Sequence, residues 1–457
     1  MSETAALPLP GEDLAPESLP SRPLAHHLAL TIYWLSNTLM WGALLHLGLQ
    51  TRLGDWFGEA RVGYYFAILG FAGGLVGSAT QVIVGAFSDR SLHRWGRRRV
   101  YVLAGSMLGS VGLLLLGAAH SFWPFAGALV LVQLFSNTAL GPFTALLPDT
   151  VNPREHGKAS GFMGVARLLG DTGGILLAGQ LLSTGHLVGA PPEQIAGYHD
   201  RQMLLMCGLL AAFLLVTMTL TCLTVKERPL RHRPNAGTWE TVVGSFNVDV
   251  RGNADFFWLT LSRAVTNLGF YMFLMIIPFF AKYSLRSPDP ERTTMLLQLP
   301  GIGAAAISSI ISGLVSDRLG RKVLILLAQF IMALAALGFA LAHSNTLAFI
   351  AIVPGGLAYG VFTAVEWALA CNLLPRGASA RYLGVWNISA VVPQIMAVGI
   401  AGGVGSALSA RTPGLGWRVD FLLVLVACLG GAWILRFVHE RPAPAPLDPE
   451  EPGAVTP

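Results

Sequence analysis

The chain has 457 residues, 53% of them apolar and 12% charged, with a formal net charge of +5. This balance excludes an ordinary water-soluble domain, and the length admits roughly a dozen spans of about 20 apolar residues. The basic surplus lies in short loops between apolar runs, where it orients a membrane protein and does not form a nucleic-acid surface.

In chain order, residues 1–28 are rich in Pro and acids and lack a basic segment followed by a short apolar core. A disordered cytoplasmic tail is expected there, and a cleaved leader is not. Apolar runs then predict helices over 29–50, 62–88, 99–119, 123–147, 159–184, 202–225, 256–284, 293–316, 322–343, 346–373, 382–408 and 418–438. They divide into an N-terminal six-helix bundle (29–225), a polar cytoplasmic linker with Pro229 and Pro234 (226–255), and a C-terminal six-helix bundle (256–440). A second Pro- and acid-rich tail (441–457) is again expected to be disordered. Pro278 and Pro300 interrupt the seventh and eighth runs. Cys207, Cys222, Cys371 and Cys428 each fall in an apolar run without paired spacing, so no disulfide, metal site or other cofactor is expected. Lys and Arg gather in the loops on the side of both tails, which places both termini in the cytoplasm of a multi-pass plasma (inner) membrane protein.

One charged pattern occurs twice. The first copy is Gly85, Ser88, Asp89, Arg90, then Gly96, Arg97, Arg98 and Arg99; the second is Gly313, Ser316, Asp317, Arg318, then Gly320, Arg321 and Lys322. Asp89 and Asp317 are 228 residues apart, as are Arg90 and Arg318. A second echo, Leu146-Leu147-Pro148 against Leu373-Leu374-Pro375, has an offset of 227. Two landmarks at nearly one spacing mark an internal duplication.

Parallel six-helix repeats with such loops after the second and eighth helices resemble the major facilitator superfamily. The resemblance covers residues 29–438 and implies an all-α integral membrane protein, twelve transmembrane helices in two pseudo-symmetric six-helix bundles. The first loop is stretched, with five residues between Asp89-Arg90 and Gly96 and a Trp95-Gly96-Arg97-Arg98-Arg99 run. That form is similar to the glycoside-pentoside-hexuronide symporters and the sucrose transporters. Leu383-Gly384-Val385-Trp386-Asn387-Ile388 with Val392-Pro393-Gln394, and Gly141-Pro142-Phe143 before Leu146-Leu147-Pro148-Asp149, resemble the same branch. Sodium- and melibiose-type members carry acids within the second helix, and this run has none before Asp89. A sodium site of that kind is not expected, which leaves proton coupling or uniport. The resemblance also implies that Gly85, Asp89, Arg90, Gly313, Asp317 and Arg318 form a cytoplasmic latch, the glycines allowing close helix approach. Arg97 to Arg99 are read as solvated anchors at lipid headgroups.

Ionisable groups inside spans cost about 2.5–3.5 kcal/mol each at the centre on insertion scales, so each needs a reason. Glu366 lies nine residues before Pro375, about 13 Å into its helix. It is either a proton-coupling carboxyl or one locked by a hydrogen-bond partner. Arg167 and Asp171, one turn apart, suit a gating ion pair, with Asp171 alternatively taking a proton or a sugar hydroxyl. Arg263 suits either a partner for Glu366 or a substrate contact, and His46 lies toward the outer part of the first helix.

Sugar sites combine aromatic faces with amides and acids. The candidates are Asn37 and Trp41, Gln133 and Asn137, Asn267 and Tyr271, and Trp386 and Asn387; the first three pairs have i, i+4 spacing. The structural alternative is inter-helix glue and interfacial Trp belts. No phosphate loop, metal cluster or nucleophile–base set is visible, so an enzyme is not expected. The expected function is secondary active transport of a sugar or glycoside by a monomer in the lipid bilayer, proton-coupled and working by alternating access. The alternatives are a proton-driven exporter of hydrophobic drugs or metabolites and a non-transporting receptor on the same fold.

Overall fold

The computed structural model describes residues 23–152, 155–225, 227, 253–373 and 379–439. These contain twelve long helices and no strand: α1 (Leu24–Phe57), α2 (Glu59–Asp89), α3 (Arg99–Gly117), α4 (Phe122–Thr150), α5 (His156–Leu181), α6 (Pro192–Thr224), α7 (Ala254–Ser284), α8 (Pro290–Leu319), α9 (Arg321–Leu341), α10 (Asn345–Leu373), α11 (Ser379–Ser409) and α12 (Leu415–Leu435). Eleven are long and apolar enough to cross a bilayer; α5, which carries Arg167 and Asp171, is the exception. The expected tails lie largely outside the described residues, as does most of the 226–255 linker.

Each predicted run has its helix, and the largest difference is in α1, which extends past the predicted 29–50 at both ends. The polar residues that close the apolar run on sequence are satisfied inside the protein. His26 Nε2 lies 3.1 Å from Thr150 Oγ1, and Arg52, 1% exposed, pairs with Asp200 and Asp55. Two helices contain a π-turn, Leu44–Gly48 in α1 and Phe280–Ser284 in α7, the latter just after Pro278. Such turns place an extra residue in the helix and recur at functional sites.

The packing pattern repeats when six is added to each helix number. In the first half α1 packs on α5 and α6, α3 on α4 and α6, and α2 on α4. In the second half α7 packs on α11 and α12, α9 on α10 and α12, and α8 on α10. The two seams between halves, α2 with α11 and α5 with α8, are counterparts under the same rule.

Glycine makes the α2/α11 seam possible, as in membrane bundles that rely on close backbone contact. A Cβ on Gly63 would lie 2.0 Å from Gly402 O, and one on Gly402 would lie 2.2 Å from Gly63 O. Farther along α2, Gly70 and Gly74 receive Val398 and Ile395.

Among the described residues, the polar contacts joining the halves gather at the far end, opposite the termini. Gly63 N donates to Ser406 Oγ at 2.8 Å, and Gly414 N to Glu59 Oε1 at 2.6 Å. Thr51 and Thr184 hydroxyls each donate to Glu291 at 3.5 Å. Ser183 Oγ and Gly185 N donate to Asp289 Oδ2 at 2.5 and 3.1 Å, and Lys282 Nζ lies 3.8 Å from Asp55 Oδ1.

Candidate binding site

Between the halves lies a cavity of about 540 Å³ lined from both sides by α1, α2, α4, α5, α7, α8, α10 and α11, with Met332 from α9. That volume falls within the range of small-molecule sites, roughly 300–1,000 Å³. The structure brings Asn37, Trp41, Gln133, Asn137, Arg167, Asp171 and Tyr271 to its wall. The i, i+4 reading holds for the first two amide-bearing pairs. Asn137 Nδ2 donates to Gln133 O at 2.8 Å and to Gln133 Oε1 at 3.2 Å, so one helix turn presents both amides. Asn37 is 4% exposed, and its Nδ2 has no hydrogen-bond partner.

Arg167 and Asp171 both face the cavity; each feels the other's charge, but no salt bridge joins them at contact distance among the described residues. The wall also contains residues that sequence reasoning did not single out. Gln298 of α8 is 2% exposed with both amide atoms unpartnered, and Tyr359 of α10 supplies another aromatic ring. His46 lies in the α1 π-turn and joins the same wall.

Other candidates sit behind the wall. Arg263 Nε donates to Glu366 Oε2 at 3.0 Å, and Nη1 donates to Trp386 O at 2.6 Å and Ser389 Oγ at 2.7 Å. The guanidinium stacks over the Trp386 ring at 4.2 Å. Glu366 therefore has a counter-charge, and of the two readings of Arg263 the geometry gives the pair. Trp386 is 3% exposed and serves this cluster, and Asn267 Nδ2 donates to Ser389 O at 3.4 Å. Asn387, one residue past Trp386 and so about 100° around the helix, is exposed and does not line the cavity.

At the near end, the first loop copy forms a charge lattice. Arg98 pairs with Asp89, donates from Nε to Asp149 Oδ2 at 3.0 Å and from Nη1 to Ser88 Oγ at 2.7 Å. Arg97 lies 2.7 Å from Asp149 Oδ2 and 3.6 Å from Glu227 Oε1, and Arg99 bonds to the Cys222 carbonyl. The headgroup-anchor reading of Arg97 to Arg99 is thus corrected: these arginines bind acids and carbonyls of α2, α4 and α6. Glu227 accepts from Arg98 N at 2.8 Å. Burial pushes its carboxyl above the usual range, against the bonds from the Arg98 and Arg99 backbone and the charge of Arg97.

Arg90 closes the α2 terminus through its N–H to Phe87 O. In the second copy, Arg318 is exposed, the Asp317 side chain lies outside the described ones, and Arg321 and Lys322 donate to the carbonyls of Ala368 and Val438 at 2.8 and 2.6 Å. The expectation for the two glycines is also corrected. A Cβ on Gly85 or Gly313 would meet open space, so neither mediates close helix approach; on the α2/α11 seam that part is played by Gly63 and Gly402.

The family model for MFS/sugar transport protein matches residues 60–412. The general alpha-glucoside permease of Schizosaccharomyces pombe is 27% identical over 289 residues, covering 58% of this chain and 47% of that protein. A sucrose transport protein of Arabidopsis thaliana is 26% identical over 214 residues, covering 41% of this chain and 34% of that protein. The matched part of the chain thus spans about half or less of these relatives' length. In fold, the chain is similar to a bacterial homolog of the human lysosomal transporter Spinster in an inward-facing, occupied conformation, with a TM-score of 0.69, 14% identity, and coverage of 91% of this chain and 95% of that one. A duplicated twelve-helix fold, a cavity between its halves and a family match over most of its length place the chain in the MFS/sugar transport protein family.

Proposed function

We propose that the protein is a secondary active transporter that carries a sugar or glycoside through the central cavity by alternating access, coupled to protons. The observation that carries this reading is the mixed wall of the cavity. Trp41, Tyr271 and Tyr359 offer aromatic faces, while the unpartnered amides of Asn37 and Gln298 offer the donors and acceptors a polyhydroxylated solute requires. Arg167 and Asp171 add a donor fork and an acceptor. The packed far end and the run of the wall along α2 as far as Gln81 support a state entered from the near end. The protein acts as a monomer in the plasma (inner) membrane with both termini in the cytoplasm.

For coupling, Asp171 is the carboxyl we assign. It faces the cavity without a salt-bridge partner, whereas Glu366 is held by Arg263. The Asp89–Arg98–Asp149 lattice acts as the near-end latch, tying α2 to α4 in this state. The test is uptake of radiolabelled sucrose, maltose and methyl glucoside into proteoliposomes, with and without an inward proton gradient. Gradient-driven accumulation of at least one solute is expected, lost in Asp171→Asn. Failure of all three solutes alongside gradient-driven efflux of a hydrophobic dye refutes the sugar reading. Unchanged gradient dependence in Asp171→Asn refutes the coupling assignment.

A further inference from the structure

Among the described residues, one buried carboxyl outside the cavity has neither an ion pair nor a hydrogen bond. Asp420 of α12 is 0% exposed, and neither carboxyl oxygen has a hydrogen-bond partner. It stands five residues into the helix from the far end, about 8 Å, where α12 packs on α7, α9 and α11.

No charged group faces it from those elements. On α12 itself Arg418 donates to Ala340 O of α9 at 3.0 Å and lies over the Phe280 ring. From α7, Lys282 is directed to Asp55, and Tyr283 stacks on Trp417 with its hydroxyl buried and unpartnered. Across the α11–α12 turn, Glu59 is taken by Gly414 N, and Arg411 and, after α9, His343 are exposed. From α11 the carboxyl meets Gly405, where a Cβ would lie 2.6 Å from Oδ2. An ionised, unpaired carboxylate in such a place is strongly disfavoured, and the usual outcome is that the group becomes neutral. A metal cation does not fit: the nearby orphaned polar atom on the same helix face is the Trp417 Nε1 donor, and the described residues hold no cluster of metal-ligating side chains.

The position of Asp420 gives that proton a consequence. The α11 segment from Gly402 to Ser409 lies between the carboxyl and α2. One side presents Gly405 to Asp420 and Trp417, while Gly402 and Ser406 make the backbone contact and hydrogen bond with Gly63 that close the seam between the halves. We propose that Asp420 binds one proton when the far-end α2/α11 seam is packed and releases it when the seam parts and water reaches α12. Packing the seam is then linked to proton uptake, because the closed form binds that proton more tightly than the open one. This inference rests on the alternating-access reading of the fold but not on the identity of the solute.

The test uses the full chain in nanodiscs with no sugar present, so failure of the sugar reading leaves its outcome unaffected. Infrared spectroscopy at neutral pH should show the C=O stretch of a protonated carboxyl free of hydrogen bonds. One carboxyl's worth of that band should vanish in Asp420→Asn, stay in Glu366→Gln, and change position in Asp420→Glu, a variant that keeps the acid should the amide fail to fold. A band untouched by both Asp420 substitutions overturns the proposal. Hydrogen exchange of the 402–409 amides, expressed as protection relative to the base-catalysed intrinsic rate at each pH, should show at least a tenfold loss of protection in the wild type as pH is raised until the band disappears, and no such loss in Asp420→Asn. An equal pH response in the two proteins overturns the linkage.

Discussion

Replacing Arg263 with Leu should be among the most destabilising single changes in the second half of the molecule. Glu366, 6% exposed, would be left without its counter-charge. Breaking a buried pair from one side costs about 3–5 kcal/mol, and loss of the desolvated stack on Trp386 adds about 0.5–2 kcal/mol. Because the contributions overlap, we expect a total of about 4 kcal/mol. At about 2–4 °C per kcal/mol for a domain of this size, the thermal midpoint of the purified protein should fall by about 10 °C at fixed detergent and scan rate. Glu366→Leu should cost a similar amount, since the guanidinium then lacks its acid. The double variant should recover much of the loss, because apolar residues of similar volume often replace a buried pair at little cost. With each single variant at about 4 kcal/mol and the double no less stable than either one, the cycle should report a coupling of at least about 4 kcal/mol. Single variants that each cost less than about 1 kcal/mol, or a double variant as unstable as the sum of the singles, would refute a locked pair and return Glu366 to the candidates for proton cycling.

Gly63→Ala places a methyl group 2.0 Å from Gly402 O, so the far-end seam should no longer pack. Thiol labelling from that side of a cysteine introduced at Gln298 should rise at least tenfold, and unchanged labelling would remove the seam from the gate. Asn37→Ala and Gln298→Ala each delete one partner for a solute hydroxyl, so the apparent affinity for a transported sugar should weaken about fivefold to tenfold each, from about 1 kcal/mol per hydrogen bond. Affinity unaffected by both would move the solute elsewhere. Glu227 binds its proton more tightly folded than unfolded, because burial raises its carboxyl. Its contribution to stability is therefore complete below the ordinary Glu range and is lost as pH rises through that range to the raised value. Glu227→Gln should flatten that part of the stability–pH curve, and a slope identical to the wild type would contradict the burial argument.

The sequence made the twelve helices legible because a bilayer span must be long and apolar, and the duplication was legible because charged loops punctuate those spans at one offset. Facing pairs along one helix were readable too: Asn37 with Trp41, and Gln133 with Asn137, reach the same wall together. Contacts between distant segments were not. Arg97 to Arg99 look like surface cations until Asp149 and Glu227, remote in sequence, fold against them. Gln298 has only Thr294 one turn away, with no second amide or aromatic residue at that spacing to draw attention to it. Asp420 lies at the edge of the predicted 418–438 span, where an acid looks interfacial, yet α12 packs on α7, α9 and α11, and Gly405 of α11 lies against the carboxyl. Asn387 shows the opposite error, since a polar residue beside a buried Trp points about 100° away from it.

The π-turn of α1 has a consequence for the rotational phase of everything beyond it. One surplus residue in Leu44–Gly48 advances the following segment by about 100° relative to an uninterrupted α-helix. That advance points Thr51 at Glu291, Arg52 at Asp200 and Asp55 at Lys282. Deleting a single residue there would leave composition, hydropathy and helix count essentially untouched while swinging all three side chains off their partners, so the phase of the far-end gate is encoded by a chain-length parity that no substitution scan would reveal.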